Sequence, residues 1–478
     1  MRIEKDSIGK LEIPKNAFYG INSLRAKNNF SYHVGFSEEW YKAVATVKLS
    51  CYLTYKQFKK SAQEKYNINK FSFSFISDEI IEALIFSATE ISQGKHFDNF
   101  IVSAIQGGAG TSINMNINEI ITNNALTNID KKLGDYNTIN PIQHANIYQS
   151  TNDVIPTALK IAIIKKLNHL DDKINETRAE LEKLEKQYRD VLRIGYTQLQ
   201  EAVPSSYGIL FASYSEAFSR DWWRVSKCFE RIKTVNLGGS AIGTGITIPR
   251  YFIMEVVQQL QKLTNLPITR SENMPDATSN LDPFVEIHSI IKSHAVNIQK
   301  IASDLRLLSS DIHKNKSLTI PSFQTGSSIM PGKINPVINE YLIGICSIIY
   351  KNDALITDLC SKGDLELNAF LPLIGHYILE SIDLLINANE TLKNKLLTSI
   401  IINEKISTNE LVFSPAIATI LIPYIGYNKA EEIAIYMKEK SCNIIEANNH
   451  FNYIDKNKIN NLLKPGELLK TGFSLNDI

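Results

Sequence analysis

The chain has almost no net charge: 51 Lys and Arg against 50 Asp and Glu leave +1 at pH 7. A balanced surface offers no standing footprint for a polyanion, so neither nucleic acid nor an anionic membrane is an expected partner. Cysteine is sparse and odd in number (Cys51, Cys228, Cys346, Cys360, Cys442). With no C-x-x-C spacing, these read as reduced, buried thiols of a cytoplasmic protein. No apolar run is long enough to cross a bilayer, and Met1-Arg2-Ile3-Glu4-Lys5-Asp6 lacks the apolar stretch of a signal peptide. The nine histidines form no H-E-x-x-H and no zinc spacing, so structural roles are expected for them and no metal site. A G-x-S-x-G nucleophile elbow is also absent.

The chain holds 478 residues, 44% of them hydrophobic and 21% charged, enough for a large core and more than one domain. The richness in Ile, Asn and Lys is read as coding bias. Residues 1–147 are mixed but mostly helical, with turn punctuation at Gly107-Gly108-Ala109-Gly110. Thr157 to Ile194 contains neither Gly nor Pro, and Leu170, Ile174, Thr177, Leu181, Leu184, Tyr188 and Val191 recur every three or four residues. That spacing predicts one amphipathic helix with a narrow apolar seam. Further long helices are expected over about Asp282–Ser309 and from about Asn335, the latter punctuated at Gly363 and Pro372. Such helices need partners from the same chain or another subunit. The expected class is mainly α: a three-domain chain with a central long-helix bundle over 148–402 and a small helical C-terminal domain over 403–478.

Four segments could carry chemistry. The first is Gly326-Ser327-Ser328-Ile329-Met330-Pro331-Gly332-Lys333-Ile334-Asn335-Pro336, a small-residue loop ahead of a helix. Free N–H groups there, with the charge of Lys333, suit a carboxylate and would favour the deprotonated form of Ser327. The second is Gln106–Asn116, whose glycines allow close backbone approach to a ligand, while Thr111 and Asn114 offer neutral hydrogen bonds. It lacks the Lys-Ser/Thr ending of a phosphate loop. The third is Gln149-Ser150-Thr151-Asn152-Asp153, either a plain helix cap or a polar shelf for carboxylate oxygens. The fourth, Gly195–Pro204, puts Thr197 and Gln198 at a turn. Gly238–Gly245 imitates a dinucleotide loop, but its third glycine is misplaced and no strand precedes it.

In this order the segments resemble the aspartase/fumarase superfamily along essentially the whole chain. Asp6-Ser7-Ile8-Gly9, Ala17-Phe18-Tyr19-Gly20 and Leu24-Arg25-Ala26 are similar to its N-terminal pattern, and Gly326–Pro336 to its signature, G-S-x-x-M-x-x-K-x-N. Gly-Ala-Gly-Thr-Ser, Ser-Thr-Asn-Asp and Thr-Gln-Leu-Gln resemble aspartases more than fumarases. Gly332 points the other way, since fumarases carry Gly there and aspartases often Ala. The resemblance implies a homotetramer with a shared helical core, each active site being built from three subunits. It implies anti elimination of ammonia from aspartate to give fumarate, with hydration of fumarate or a related elimination from another substituted succinate as the alternative. By position it makes Ser327 the general base, and it gives a substrate carboxylate to Lys333 and Asn335. Thr111, Ser150, Thr151 and Asn152 also hold carboxylates, and Thr197 and Gln198 face the amino group. The substrate implied is a small dicarboxylate, and this chemistry is expected to require no cofactor.

Two stretches depart from the family's pattern. Tyr196 stands where Gly-Arg-Thr is usual, removing a positive charge. Asp311–Leu318 replaces the usual Ser-Gly-Pro-Arg-x-Gly-Leu ahead of the Ser327 loop, so loop positioning and substrate choice could differ.

Overall fold

The computed structural model describes residues 1–67, 71, 74–312 and 316–476, and helices dominate it. A hairpin of β1 (Arg2–Lys5) and β2 (Lys10–Ile13) leads into α1 (Ile21–Asn29), α2 (Glu38–Lys65), α3 (Asp78–Ser92) and α4 (Thr111–Asn128). Next come α5 (Thr151–Gln187), a hairpin of β3 (Leu192–Thr197) and β4 (Gln200–Ser206), then α6 (Tyr207–Ser226) and α7 (Phe229–Ile232). β5 (Thr234–Val235), α8 (Arg250–Thr264), β6 (Thr269–Arg270), α9 (Met274–Ser279) and α10 (Asp282–Leu308) follow. β7 (Leu318–Thr319), α11 (Val337–Cys360), α12 (Leu371–Thr391), β8 (Ile401–Ile402) and α13 (Glu404–Phe413) lead to short C-terminal helices. Among the described residues the strands form only two-stranded ribbons, and no single helix is long and apolar enough to cross a membrane.

By contact the chain divides into two units that cut across the long helices: Met1–Leu170, Arg224–Lys292 and Ile348–Leu384, and Asp171–Trp223, Ser293–Ser347 and Leu385–Ile478. In the first unit, α2 starts at Ser37, whose side chain accepts from the Trp40 amide, with Glu38 and Glu39 complementing the helix dipole. The first turns of α5 are its buried core: Val154, Ile155, Ala158, Leu159, Ile161 and Ala162 are all sealed from solvent. Pro156 lies inside this helix and cannot donate to the carbonyl of Asn152. The buried side chain of Asn236 donates to that carbonyl instead, at 2.9 Å.

In the second unit, the expected seam holds along the middle of α5, where Ile174, Thr177, Leu181 and Leu184 are buried. The helix expected over Thr157–Ile194 instead occupies Thr151–Gln187, and Leu192–Ile194 belong to β3. The carbonyls of Tyr188 and Val191 are taken by the amides of Gly208 and Tyr207 at the start of α6, which closes α5. A Cβ at Gly208 would stand 2.5 Å from the Arg189 Cα, so only glycine permits that approach. Leu192 and Ile194, two apart as strand residues on one face must be, dock into a C-terminal cluster with Leu411, Ile417, Leu421 and Ile433.

Candidate active site

The shelf sits at the N-terminus of α5 in the first unit. The Ser150 Oγ accepts from the Asn152 amide at 3.2 Å, and the Asn152 side chain donates to the Ala241 carbonyl at 2.7 Å. Asp153, fully buried beneath, accepts from the amides of Ser150 (2.9 Å), Ser240 (3.0 Å) and Gly238 (3.3 Å). The glycine-rich stretch set aside as a nucleotide loop thus supplies a backbone cradle for a carboxylate of the chain itself. Burial pushes the Asp153 carboxyl up to about 7 against the pull of those amides.

The glycine cluster ends in Gly110, which caps α4 with φ +92°, and Thr111 begins that helix exposed to solvent. One turn on, the buried Asn114 donates to the Thr151 Oγ1 at 3.2 Å, joining the second segment to the third. Beneath them lies Lys48, fully buried, donating to the Gln149 Oε1 at 2.9 Å and the Asn146 Oδ1 at 3.4 Å. Its ammonium is pushed down to about 7 by burial, with Asp153 pulling the other way.

The other candidates lie in the second unit. Thr197 pairs with Gln200, and Gln198 and Leu199 have φ +53° and +62°, the two-residue turn that matches the twist of a hairpin. Thr197 and Gln198 are therefore exposed at a hairpin tip. The Ser327 loop is pinched shut at its base: the Gly326 amide donates to the Lys333 carbonyl (2.8 Å), and the Asn335 side chain donates to the Gly326 carbonyl (2.7 Å). A Cβ on Gly326 would stand 2.6 Å from the Lys333 carbonyl oxygen. Within the loop the Ser327 Oγ accepts from the amides of Met330 (3.0 Å) and Ile329 (3.2 Å), and Lys333 is exposed.

The two departures from the family pattern meet at one small cavity of the second unit, lined by Arg193, Ile194, Tyr196, Tyr207, Leu308, Ser317 and Glu410. A bulge between Ile194 and Tyr196 shifts the strand's alternation, so Arg193 and Tyr196 share a face, the guanidinium 5.9 Å from the Tyr196 ring. Arg193 therefore keeps a positive charge beside the position where the resemblance expects one. The Tyr207 and Ser317 hydroxyls share a hydrogen bond of 2.7 Å, and the Asn403 amide donates to the Ser317 carbonyl. Residues 313–315 of the unusual stretch lie outside the described residues.

Sequence reasoning missed Lys48, Asn118, Asn146 and Asn236. Asn114, Asn118, Asn146 and Asn236 are hydrogen-bonded parts of the shelf. Two signals were present: Asn114 and Asn118 are one helical turn apart, and Lys48 interrupts the apolar run Val47-Lys48-Leu49. Of the histidines, His288 bonds Asp353 and Ser381, and His294 bonds Asp221 and Asn389, all within buried helix contacts.

A family model described as "Lyase" matches residues 9–350. The aspartate ammonia-lyase of a Bacillus species is 34% identical over 478 residues, covering 99% of this chain and 98% of that one. That of Helicobacter pylori is 35% identical over 474 residues, 98% of each. Among solved structures, a fumarate lyase:delta crystallin from Brucella melitensis, bound to cobalt, superposes with a TM-score of 0.89 at 33% identity, covering 97% of this chain and 98% of that one. A class II fumarase from Schistosoma mansoni gives 0.88 at 26%, covering 98% of both. The chain belongs to this lyase family, the aspartase/fumarase superfamily.

Proposed function

We propose that this lyase breaks a carbon–nitrogen bond as an aspartate ammonia-lyase, converting L-aspartate reversibly to fumarate and ammonia by anti elimination. Ser327 takes a Cβ proton, and the electron pair left behind spreads into the neighbouring carboxylate as an aci-carboxylate. That pair then forms the double bond as the Cα–N bond breaks and ammonia leaves with the bonding electrons. The Cβ proton is weakly acidic, so donors arranged around the developing dianion carry most of the catalysis. In this reading Lys333 and Asn335 hold the carboxylate on which charge accumulates. Thr111, Ser150, Thr151 and Asn152 supply further carboxylate contacts, and Thr197 and Gln198 face the amine. No cofactor is assigned a part.

The observation that carries this reading is the pair of amide hydrogen bonds from Ile329 and Met330 into the Ser327 Oγ. They favour the oxyanion and so make a serine usable as a base. The relatives named as aspartate ammonia-lyases support ammonia as the leaving group. Gly332, the one fumarase-like residue of the signature, has φ +77°. A side chain is strained there, so the backbone accounts for this glycine without reference to the substrate.

A homotetramer in the cytoplasm completes the proposal. Ile209, Trp223, Val296, Tyr341 and Ile348 are large apolar side chains left exposed on the long helices of the single chain, as subunit packing requires. Appearance of fumarate absorbance on adding aspartate, compared with malate, tests the activity.

A further inference from the structure

We infer that Asn114 is a positioning residue that makes Thr151 a hydrogen-bond donor to the substrate carboxylate. The inference rests on Thr151 being a substrate ligand. A hydroxyl that already accepts can still give its proton away, and the direction it takes depends on its neighbours. The Thr151 Oγ1 accepts from the Asn114 side-chain amide, and among the described residues no acceptor takes the Thr151 proton. The proton is thus free for an incoming carboxylate oxygen.

The surrounding network fixes this polarity. The Asn146 side chain donates to the Gln149 backbone carbonyl at 3.1 Å, a group that can only accept. Its own oxygen must then face the other way, where it receives three donors: Asn114 (3.1 Å), Asn118 (3.2 Å) and Lys48 (3.4 Å). Lys48 donates to that same oxygen, which favours the same orientation. Turning the Asn114 amide over would set its oxygen against the Asn146 oxygen and leave Thr151 to give its proton inward. The cost of the observed orientation is visible: among the described residues the buried Asn114 and Asn118 oxygens have no partner. Such orphaned acceptors persist only where the alternative is worse. Here the alternative is two facing carbonyl oxygens. The chain from Lys48 through Asn146 and Asn114 to Thr151 therefore runs in one direction, donor towards the site.

A double-mutant cycle tests this through kcat/KM for aspartate. Asn114→Leu, close in volume but without a donor, should lower kcat/KM about tenfold in the wild-type background. In a Thr151→Val background it should cause no further loss, because the hydroxyl it orients is gone. An equal loss in both backgrounds, or none in either, would overturn the inference while leaving Thr151 as a ligand. A Thr151→Val enzyme as active as wild type, or a wild type inactive on aspartate, would instead defeat the functional reading, and the inference with it. If Asn114→Leu does not fold, Asn114→Ala takes its place in the same cycle. A purely structural role for Asn114 would lower activity in both backgrounds alike.

Discussion

The side chain of Asn236 donates to the backbone carbonyl of Asn152 at 2.9 Å, the carbonyl that Pro156 leaves without its helical partner. The contact lets α5 begin early enough to carry Thr151 and Asn152 on its first turn, with Ser150 just ahead of it. Asn236→Ala should leave that carbonyl unpaired and lower stability by about 1–3 kcal/mol. Pro156→Ala restores an amide to the same carbonyl and should reduce the loss. Urea midpoints of the two single variants and the double variant check this. Additive losses would mean that Asn236 stabilises through its other bond, to Thr278.

The buried carboxyl of Asp153 gives stability a pH slope of predictable sign. Its folded-state value is raised from 3.8 to about 7, so between those limits the folded chain holds a proton that the unfolded chain has released. Stability contributed at this site therefore falls as pH rises from 4 to 7. Lys48, lowered from 10.5 to about 7, acts in the next window, where stability rises with pH because the unfolded chain binds the extra proton. Denaturation of wild type and Asp153→Asn at pH 4, 5, 6 and 7 isolates the first window. The wild type should lose ground to the variant with rising pH, and parallel profiles would contradict the assignment.

Gly326 holds the base of the Ser327 loop closed. Gly326→Ala places a methyl group 2.6 Å from the Lys333 carbonyl oxygen, so the loop cannot keep its pinch. Turnover should fall by about tenfold or more, as expected when a reacting group is displaced by a fraction of an ångström. Thermal stability should change little, because the loop is exposed. Kinetics beside a melting curve on the same sample separate the two effects.

The long helices were legible because burial imposes a period. In α10, Phe284, Ile287 and Ile291, then Ala295, Ile298, Ala302 and Leu305, recur every three or four residues and are all sealed from solvent. The β3–β4 hairpin was not legible. Leu192 and Ile194 extend the apolar spacing of α5 equally well, and what decides against helix is distant: the amides of α6 and the C-terminal cluster. The site divides in the same way. Ser327, Lys333 and Asn335 are adjacent in the chain and form one loop. Lys48 and Asn146 lie about a hundred residues apart and meet only when α2 packs beside the segment before α5. No local pattern marks a residue whose role is to orient another.

The role of Ser327 is read most directly from a variant that keeps the loop. Ser327→Ala should lose about 10²–10⁴-fold in kcat, the range for removing a general base. The mass of the assembly by light scattering should match wild type. Near-normal turnover in a folded variant would move the base elsewhere.

The central claim is that this lyase takes ammonia from aspartate. Elimination creates a double bond conjugated with both carboxylates, which neither the amino acid nor the hydroxy acid has. Ultraviolet absorbance of that bond follows the reaction without coupling enzymes. With purified protein and saturating L-aspartate the absorbance should climb steadily, and with L-malate it should stay flat. Fumarate formed from malate and not from aspartate would contradict the account.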